Sequence, residues 1–99
     1  MIYCIDVDGT ICNETWDVGY KYAKPNQKMV DKINRLYDEG HTIKIFTARG
    51  QVTGIDHEQF TKDQLKKWGV KYHEYHKKTP GDFYIDDKAV TPEKFLIGE

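Results

Sequence analysis

The chain has 99 residues, 31% of them charged, with 15 basic against 16 acidic side chains and a net charge of -1. That length makes one small domain, 1–99, which buries only about 60–65% of the surface its unfolded chain would expose. Balanced charge gives no bulk attraction to nucleic acid or to a membrane surface, and no apolar run approaches the ~18 residues of a transmembrane span.

Met1 to Val7 reads as the first strand, apolar up to Asp6 and too short for a helix. The run is broken at Asp6 and has no basic start, so no signal peptide is expected. Cys4 lies in this strand, which is taken as buried. Cys4 and Cys12 do not form C-x-x-C, and both are read as reduced thiols of a cytoplasmic protein. Residues 9–25 mix turn formers with Trp16, Tyr20 and Tyr22 and predict a loop or small hairpin, its aromatics walling the strand end or covering the sheet edge.

Pro25-Asn26 opens a helix with Met29, Val30, Ile33, Leu36 and Tyr37 at helical spacing and Gly40 as its stop. His41 to Thr47 is the second strand, followed by a loop containing Gly50 and Gly54. Asp56 caps a second helix running to Trp68, with Phe60, Gln64, Leu65 and Trp68 facing inward and Gly69 ending it. Val70 to Tyr75 is the third strand and Phe83 to Ile85 the fourth, and residues 88–95 make a short final helical turn. This alternation predicts an α/β, three-layer Rossmann-like fold with a short parallel sheet and right-handed crossovers. Ligands of such sheets bind at the carboxyl ends of the strands. Asp6, Asp8, Thr47, Asp86 and Asp87 all fall there.

The chemistry follows from the residue types. Asp6 is the expected nucleophile, a carboxylate that attacks phosphorus to form an acyl phosphate. Asp8, beyond the strand end where Gly9 turns the chain, is the expected general acid and base. An Asp-Gly pair is also common in ordinary turns. Asp86 and Asp87 repel each other unless a cation sits between them and the first pair. Mg²⁺ suits that place, with the Asp6 side chain, the Asp8 backbone carbonyl and the Asp86 side chain as direct ligands and Asp87 acting through water. Thr47 and the amides of Ala48 and Arg49 would hold phosphoryl oxygens. Lys78 would neutralise the nucleophile and the phosphate, with Lys77 as runner-up. Arg49 would grip a carboxylate or a second phosphate of the substrate, or sit on the surface. His73 and His76 point to opposite faces of a strand, so they are not read as a zinc site. No Walker A loop or G-x-G-x-x-G is present.

These residues resemble the haloacid dehalogenase superfamily of phosphohydrolases. The resemblance rests on four motifs in the family's order: D-x-D-G-T at Asp6 to Thr10, an apolar run ending at Thr47, Lys78, and the acidic pair Asp86-Asp87. It implies a nucleophilic first aspartate and an acid/base second one. Asp8 in the second position implies phosphatase or phosphotransferase activity rather than dehalogenation. Thr79 separates Lys78 from Pro80, where related small members often have Lys-Pro. Many members carry a cap domain, but Asp8 and Thr47 lie 39 positions apart and Thr47 and Lys78 lie 31 apart, intervals that the core elements fill. The chain is therefore expected to be capless, its site open unless a second copy closes it in a homo-oligomer. The Thr-Ala-Arg-Gly loop and the Tyr-Ile-Asp-Asp-Lys-Ala segment look most like small phosphatases associated with capsule and surface-polysaccharide biosynthesis.

The expected activity is Mg²⁺-dependent hydrolysis of a small phosphorylated substrate such as a sugar phosphate. One alternative is a phosphatase for a polymer end, a nucleic-acid 3′-phosphate or a phosphoprotein, which the charge balance ranks lower. Another is a non-catalytic module that binds Mg²⁺ or phosphate and regulates a partner. A two-component receiver is rejected, because the acidic pair closes the chain and no Asp ends the third strand.

Overall fold

Three parallel strands, β1 (Ile2–Asp6), β2 (Thr42–Thr47) and β3 (Glu74–Lys77), stand in the order β1-β2-β3. The computed structural model describes residues 1–15, 19–51 and 53–98. Helix α1 (Gln27–Asp38) joins β1 to β2, α2 (Glu58–Lys67) joins β2 to β3, and α3 (Pro92–Ile97) follows; a 3-10 turn spans Tyr20–Tyr22. The register sets Asp6 opposite Phe46 and Thr47 opposite Lys77, so the three strands end level with one another.

Each helix is delimited by its ends. Asn26 caps α1, its side chain accepting a hydrogen bond from the Met29 N–H at 3.3 Å. Gly40 closes it at φ 93°, with Gly40 N–H donating to the Tyr37 carbonyl and His41 N–H to the Leu36 carbonyl. Gly69 closes α2 in the same way at φ 76°, with Val70 N–H donating to the Leu65 carbonyl. This paired reversal satisfies two end carbonyls and needs a positive φ that glycine adopts without a Cβ penalty. Asp56 starts α2 differently from expectation. Its carboxylate accepts from the Glu58 N–H at 2.9 Å, while His57 holds the N-cap position.

The period-2 pattern of β2 buries Ile43, Ile45 and Thr47. Ile5 and Val7 join these isoleucines, and Met29, Val30, Ile33 and Leu36 of α1 and Leu65 of α2 complete one core. Each such aliphatic side chain contributes roughly 1.5–3 kcal/mol on burial. The α/β class and the short parallel sheet are as expected. The layering is one-sided: on the opposite face Ile2 is 63% exposed, Cys4 is exposed, and Lys44 faces Glu74 at 3.7 Å. Cys4 is thus not buried as expected, because alternation turns it away from the core that holds Ile5.

Two further expectations are corrected. The third strand begins at Glu74 rather than Val70, because Val70 is drawn into the core as the apolar partner of Leu65 at the end of α2. Phe83 to Ile85 forms no strand: Phe83 is 84% and Ile85 96% exposed. On α2, Thr61 and Leu65 face inward at 0% exposure, whereas Phe60 faces out.

Candidate active site

The end of β1 is held by a tight turn. The N–H groups of Thr10, Ile11 and Cys12 all donate to the Val7 carbonyl, at 3.2, 2.9 and 3.1 Å, and Gly9 N–H donates to the Cys12 carbonyl at 2.8 Å. Gly9 sits at φ 81°, a conformation that glycine permits. Val7 is fully buried, so the flanking Asp6 and Asp8 are both turned to the partly open rim.

Asp6 Oδ1 accepts from the Val7 N–H at 2.9 Å, and Asp6 Oδ2 lies 3.4 Å from Lys78 Nζ. Burial pushes the Asp6 carboxyl above its ordinary value, and the Asp8 charge adds to the rise; Lys78 and the Val7 N–H pull the other way. The Lys78 ammonium lies between two rings, 4.0 Å from the Tyr84 centroid and 4.8 Å from that of Phe46, and its backbone N–H donates to the Thr47 carbonyl at 2.8 Å. Of the two candidate lysines it is therefore Lys78 that reaches Asp6. Lys77 instead lines a cavity that also borders Thr47 and Arg49.

Thr47 is 1% exposed. Its Oγ1 accepts from the Arg49 N–H at 3.1 Å, which leaves the hydroxyl hydrogen to donate. The Arg49 amide, expected to meet a phosphoryl oxygen, is thus spent on Thr47; Ala48 stands between them at the strand end. The Arg49 side chain also departs from expectation. It is 5% exposed, and its guanidinium forks onto Asp8, with Nε to Oδ2 at 2.9 Å and Nη2 to Oδ1 at 2.8 Å. Nη1 donates to Thr61 Oγ1 at 3.2 Å and to Gln64 Oε1 at 2.7 Å, and the Tyr20 ring lies 4.3 Å from Cζ. Burial works against the charged guanidinium, yet the bonds and charge of Asp8 raise its pKa above the ordinary value. Arg49 is therefore neither a surface arginine nor free to grip substrate in this conformation. The signal was present in the sequence, since the period that buries Ile43, Ile45 and Thr47 carries on to residue 49.

Asp86 and Asp87 stand apart from this cluster. Asp86 is exposed, its Oδ1 accepting from the Lys88 N–H at 2.8 Å. Among the described residues no group of three or more His, Cys, Asp or Glu side chains is placed to hold a metal ion. The physical reason is the missing fourth strand, which was to bring the acidic pair beside Asp6. What remains at the end of β1 is Asp6 with the neighbouring Asp8. With both Asp8 oxygens taken by Arg49, the groups there that could hold Mg²⁺ are the Asp6 carboxylate and the Asp8 backbone carbonyl, with water and substrate phosphate completing the shell; Asp86 does not contribute as placed.

No protein-family model and no curated protein matches the chain. A crystal structure of a structural-genomics target from Vibrio cholerae does match, with a TM-score of 0.84 and 30% identity over 96% of this chain and 86% of that one. The chain belongs to the same family as that protein. The likeness establishes kinship and fold and carries no statement of a reaction.

Glu14 was not singled out from the sequence. Burial raises its pKa first, followed by the charges of Asp8 and Asp6, which places it within electrostatic reach of the pair. No periodicity or motif marks it. Of the expected aromatic wall, Tyr20 lies over Arg49, Tyr22 is 56% exposed, and Trp16 falls outside the described residues. Among the described residues no helix is long and apolar enough to cross a membrane.

Proposed function

We propose that the chain is a Mg²⁺-dependent phosphomonoesterase of the haloacid dehalogenase type that works through an aspartyl phosphate on Asp6. One observation carries the reading. Residues distant in sequence meet at the ends of neighbouring strands, with Lys78 Nζ 3.4 Å from Asp6 Oδ2 and the Lys78 N–H on the Thr47 carbonyl. Nucleophile, cation and hydroxyl are the parts that phosphoryl transfer to a carboxylate requires.

In this reading an Asp6 oxygen attacks phosphorus while the bond to the leaving oxygen breaks. Asp8 gives that oxygen a proton and later takes one from the water that hydrolyses the acyl phosphate. Lys78 offsets the charge that Asp6 and the phosphoryl group share. Thr47 donates its hydroxyl hydrogen to a non-bridging oxygen. Mg²⁺, held by Asp6 and Asp8, would supply positive charge at the phosphoryl group.

The substrate class we favour is a small hydroxylated phosphomonoester such as a sugar phosphate. A cavity of about 320 Å³ opens beside Thr47, lined by Gln51, Asp56, His57, Tyr75 and Lys77, and such polar groups suit hydroxyls rather than an apolar leaving group. A non-catalytic phosphate-binding module is the second reading, favoured by the engagement of both Asp8 oxygens with Arg49. Phosphate release from p-nitrophenyl phosphate and from a panel of sugar, nucleotide and polymer-end phosphates, with and without Mg²⁺, separates them. Mg²⁺-dependent release is expected, greatest on sugar phosphates. A folded protein that releases nothing from any of them contradicts the enzyme reading.

A further inference from the structure

We infer that Tyr84 is a positioning residue for Lys78, its ring holding the ammonium beside Asp6; this rests on the reading of Lys78 as the cation that faces the phosphoryl group. The backbone of Lys78 is fixed, since its N–H donates to the Thr47 carbonyl at 2.8 Å. Its ammonium is not fixed by Asp6 alone. The Nζ to Oδ2 distance is 3.4 Å, longer than the roughly 2.7–2.9 Å of a well-formed charge-assisted hydrogen bond, and a lysine stem is long and flexible. Two rings supply the remaining restraint. Phe46 stands on β2 opposite Asp6 with its centroid 4.8 Å from Nζ, and the Tyr84 centroid lies closer, at 4.0 Å. The Tyr84 hydroxyl donates to the Thr79 carbonyl at 2.8 Å, so the segment after Lys78 folds back and seats the ring.

Apolar burial does not account for this arrangement. Tyr84 is 49% exposed and its neighbours Phe83 and Ile85 lie in solvent, whereas the Lys78 side chain is 15% exposed. Of these three consecutive residues, the one turned inward is the one that meets the cation. A ring also does what an acidic partner would not. A second carboxylate would hold the ammonium but cancel its charge, whereas a ring face attracts the cation and leaves it positive. Lys78 thus keeps its charge for the phosphoryl oxygens. A cation held in place before the reaction stabilises the developing charge without reorganising. Leucine at position 84 would keep an apolar side chain there and lose that attraction.

The test uses the full chain, with p-nitrophenyl phosphate and Mg²⁺ for turnover and proton NMR for the ring contact. The ε-methylene signal of Lys78, assigned by its loss in Lys78→Arg, is expected upfield of that of an exposed lysine such as Lys28, because ring currents shield protons held over an aromatic face. Tyr84→Leu should move that signal downfield and lower kcat about tenfold, with KM within about threefold. Tyr84→Phe, which keeps the ring and loses the hydroxyl, should restore the shift and most of kcat. Phe46→Leu removes the more distant ring and should give the same changes in weaker form. It decides the matter if the Tyr84→Leu protein fails to fold. An unshifted Lys78 signal in the wild type, a Tyr84→Phe protein as slow as Tyr84→Leu, or a Tyr84→Leu protein with wild-type kcat overturns the positioning role while leaving the phosphatase reading intact. No turnover by the wild-type protein overturns both, and the NMR shift then still reports whether the ring meets Lys78.

Discussion

Cys4 and Cys12 have opposite surroundings. Cys4 is exposed on the open face of β1, whereas Cys12 is 2% exposed with its sulfur 3.6 Å from both the Val7 carbonyl and Asp8 Oδ1. Burial first, and the Asp8 charge second, push the Cys12 thiol up to about 12 from 9.0, against the opposing pull of Arg49. Only the thiolate is a nucleophile. In native protein iodoacetamide should therefore modify Cys4 and spare Cys12, as read by peptide mass spectrometry; equal labelling would contradict this placement. A pH dependence follows. Below pH 9 both folded and unfolded chains keep the Cys12 proton. As pH rises from 9 towards 12 the unfolded thiol ionises first, so the unfolded state binds fewer protons and stability falls. A Cys12→Ala protein should lose less melting temperature over that window than the wild type. At this scale the sequence was readable where alternation was clear and misread where an apolar run was taken as buried on both faces. Ile5 points in, Cys4 points out, and composition alone does not set the phase.

Elements that carry their own end signals were legible. Asn26 and Gly40 bound α1, and Gly69 ends α2, because capping is local chemistry between residues close in sequence. The strands β1 and β2 were legible from their apolar runs. The misplaced start of β3 and the unformed strand at Phe83 to Ile85 have a common physical origin. Strand pairing is a contact between distant segments, and an apolar residue such as Val70 serves equally well to close a helix. The loop from Gly50 to Ile55 supplies a test at this scale. Gly50 and Gly54 have φ of 83° and 78°, but a Cβ on Gly50 would lie 2.0 Å from the Ile55 carbonyl oxygen, whereas one on Gly54 meets open space. Gly54→Ala should cost about 1 kcal/mol from its left-handed backbone alone. Gly50→Ala should cost more, because the facing backbone must move. Thermal denaturation should show the larger loss at Gly50, with each kcal/mol lowering the midpoint by roughly 4–8 °C; equal losses would contradict the close approach.

The whole molecule rests on one thin core, with α1 supplying Met29, Val30, Ile33 and Leu36 to the sheet. Ile33 is fully buried, and Ile33→Ala should cost about 2–5 kcal/mol, a large share of the ~5–15 kcal/mol that stabilises a typical domain. A urea midpoint almost unchanged in that variant would contradict the burial. At this scale the sequence motifs foretold that Asp6, Asp8, Thr47 and Lys78 would gather at the strand ends. The first strand, the second strand and the short link after β3 are each set by local pattern, and parallel pairing brings their carboxyl ends level. Asp86 and Asp87 did not join them because their segment finds no neighbour among the described strands. Arg49 was assigned outward when its side chain serves the interior. The central claim is that Asp6 attacks phosphorus, and the most direct measurement is Mg²⁺-dependent phosphate release by wild type and Asp6→Asn, with circular dichroism confirming that both are folded. The account predicts turnover in the wild type and none above background in the variant, which keeps the shape of the side chain but lacks the attacking oxygen. A folded Asp6→Asn protein that turns over as fast as wild type would contradict it.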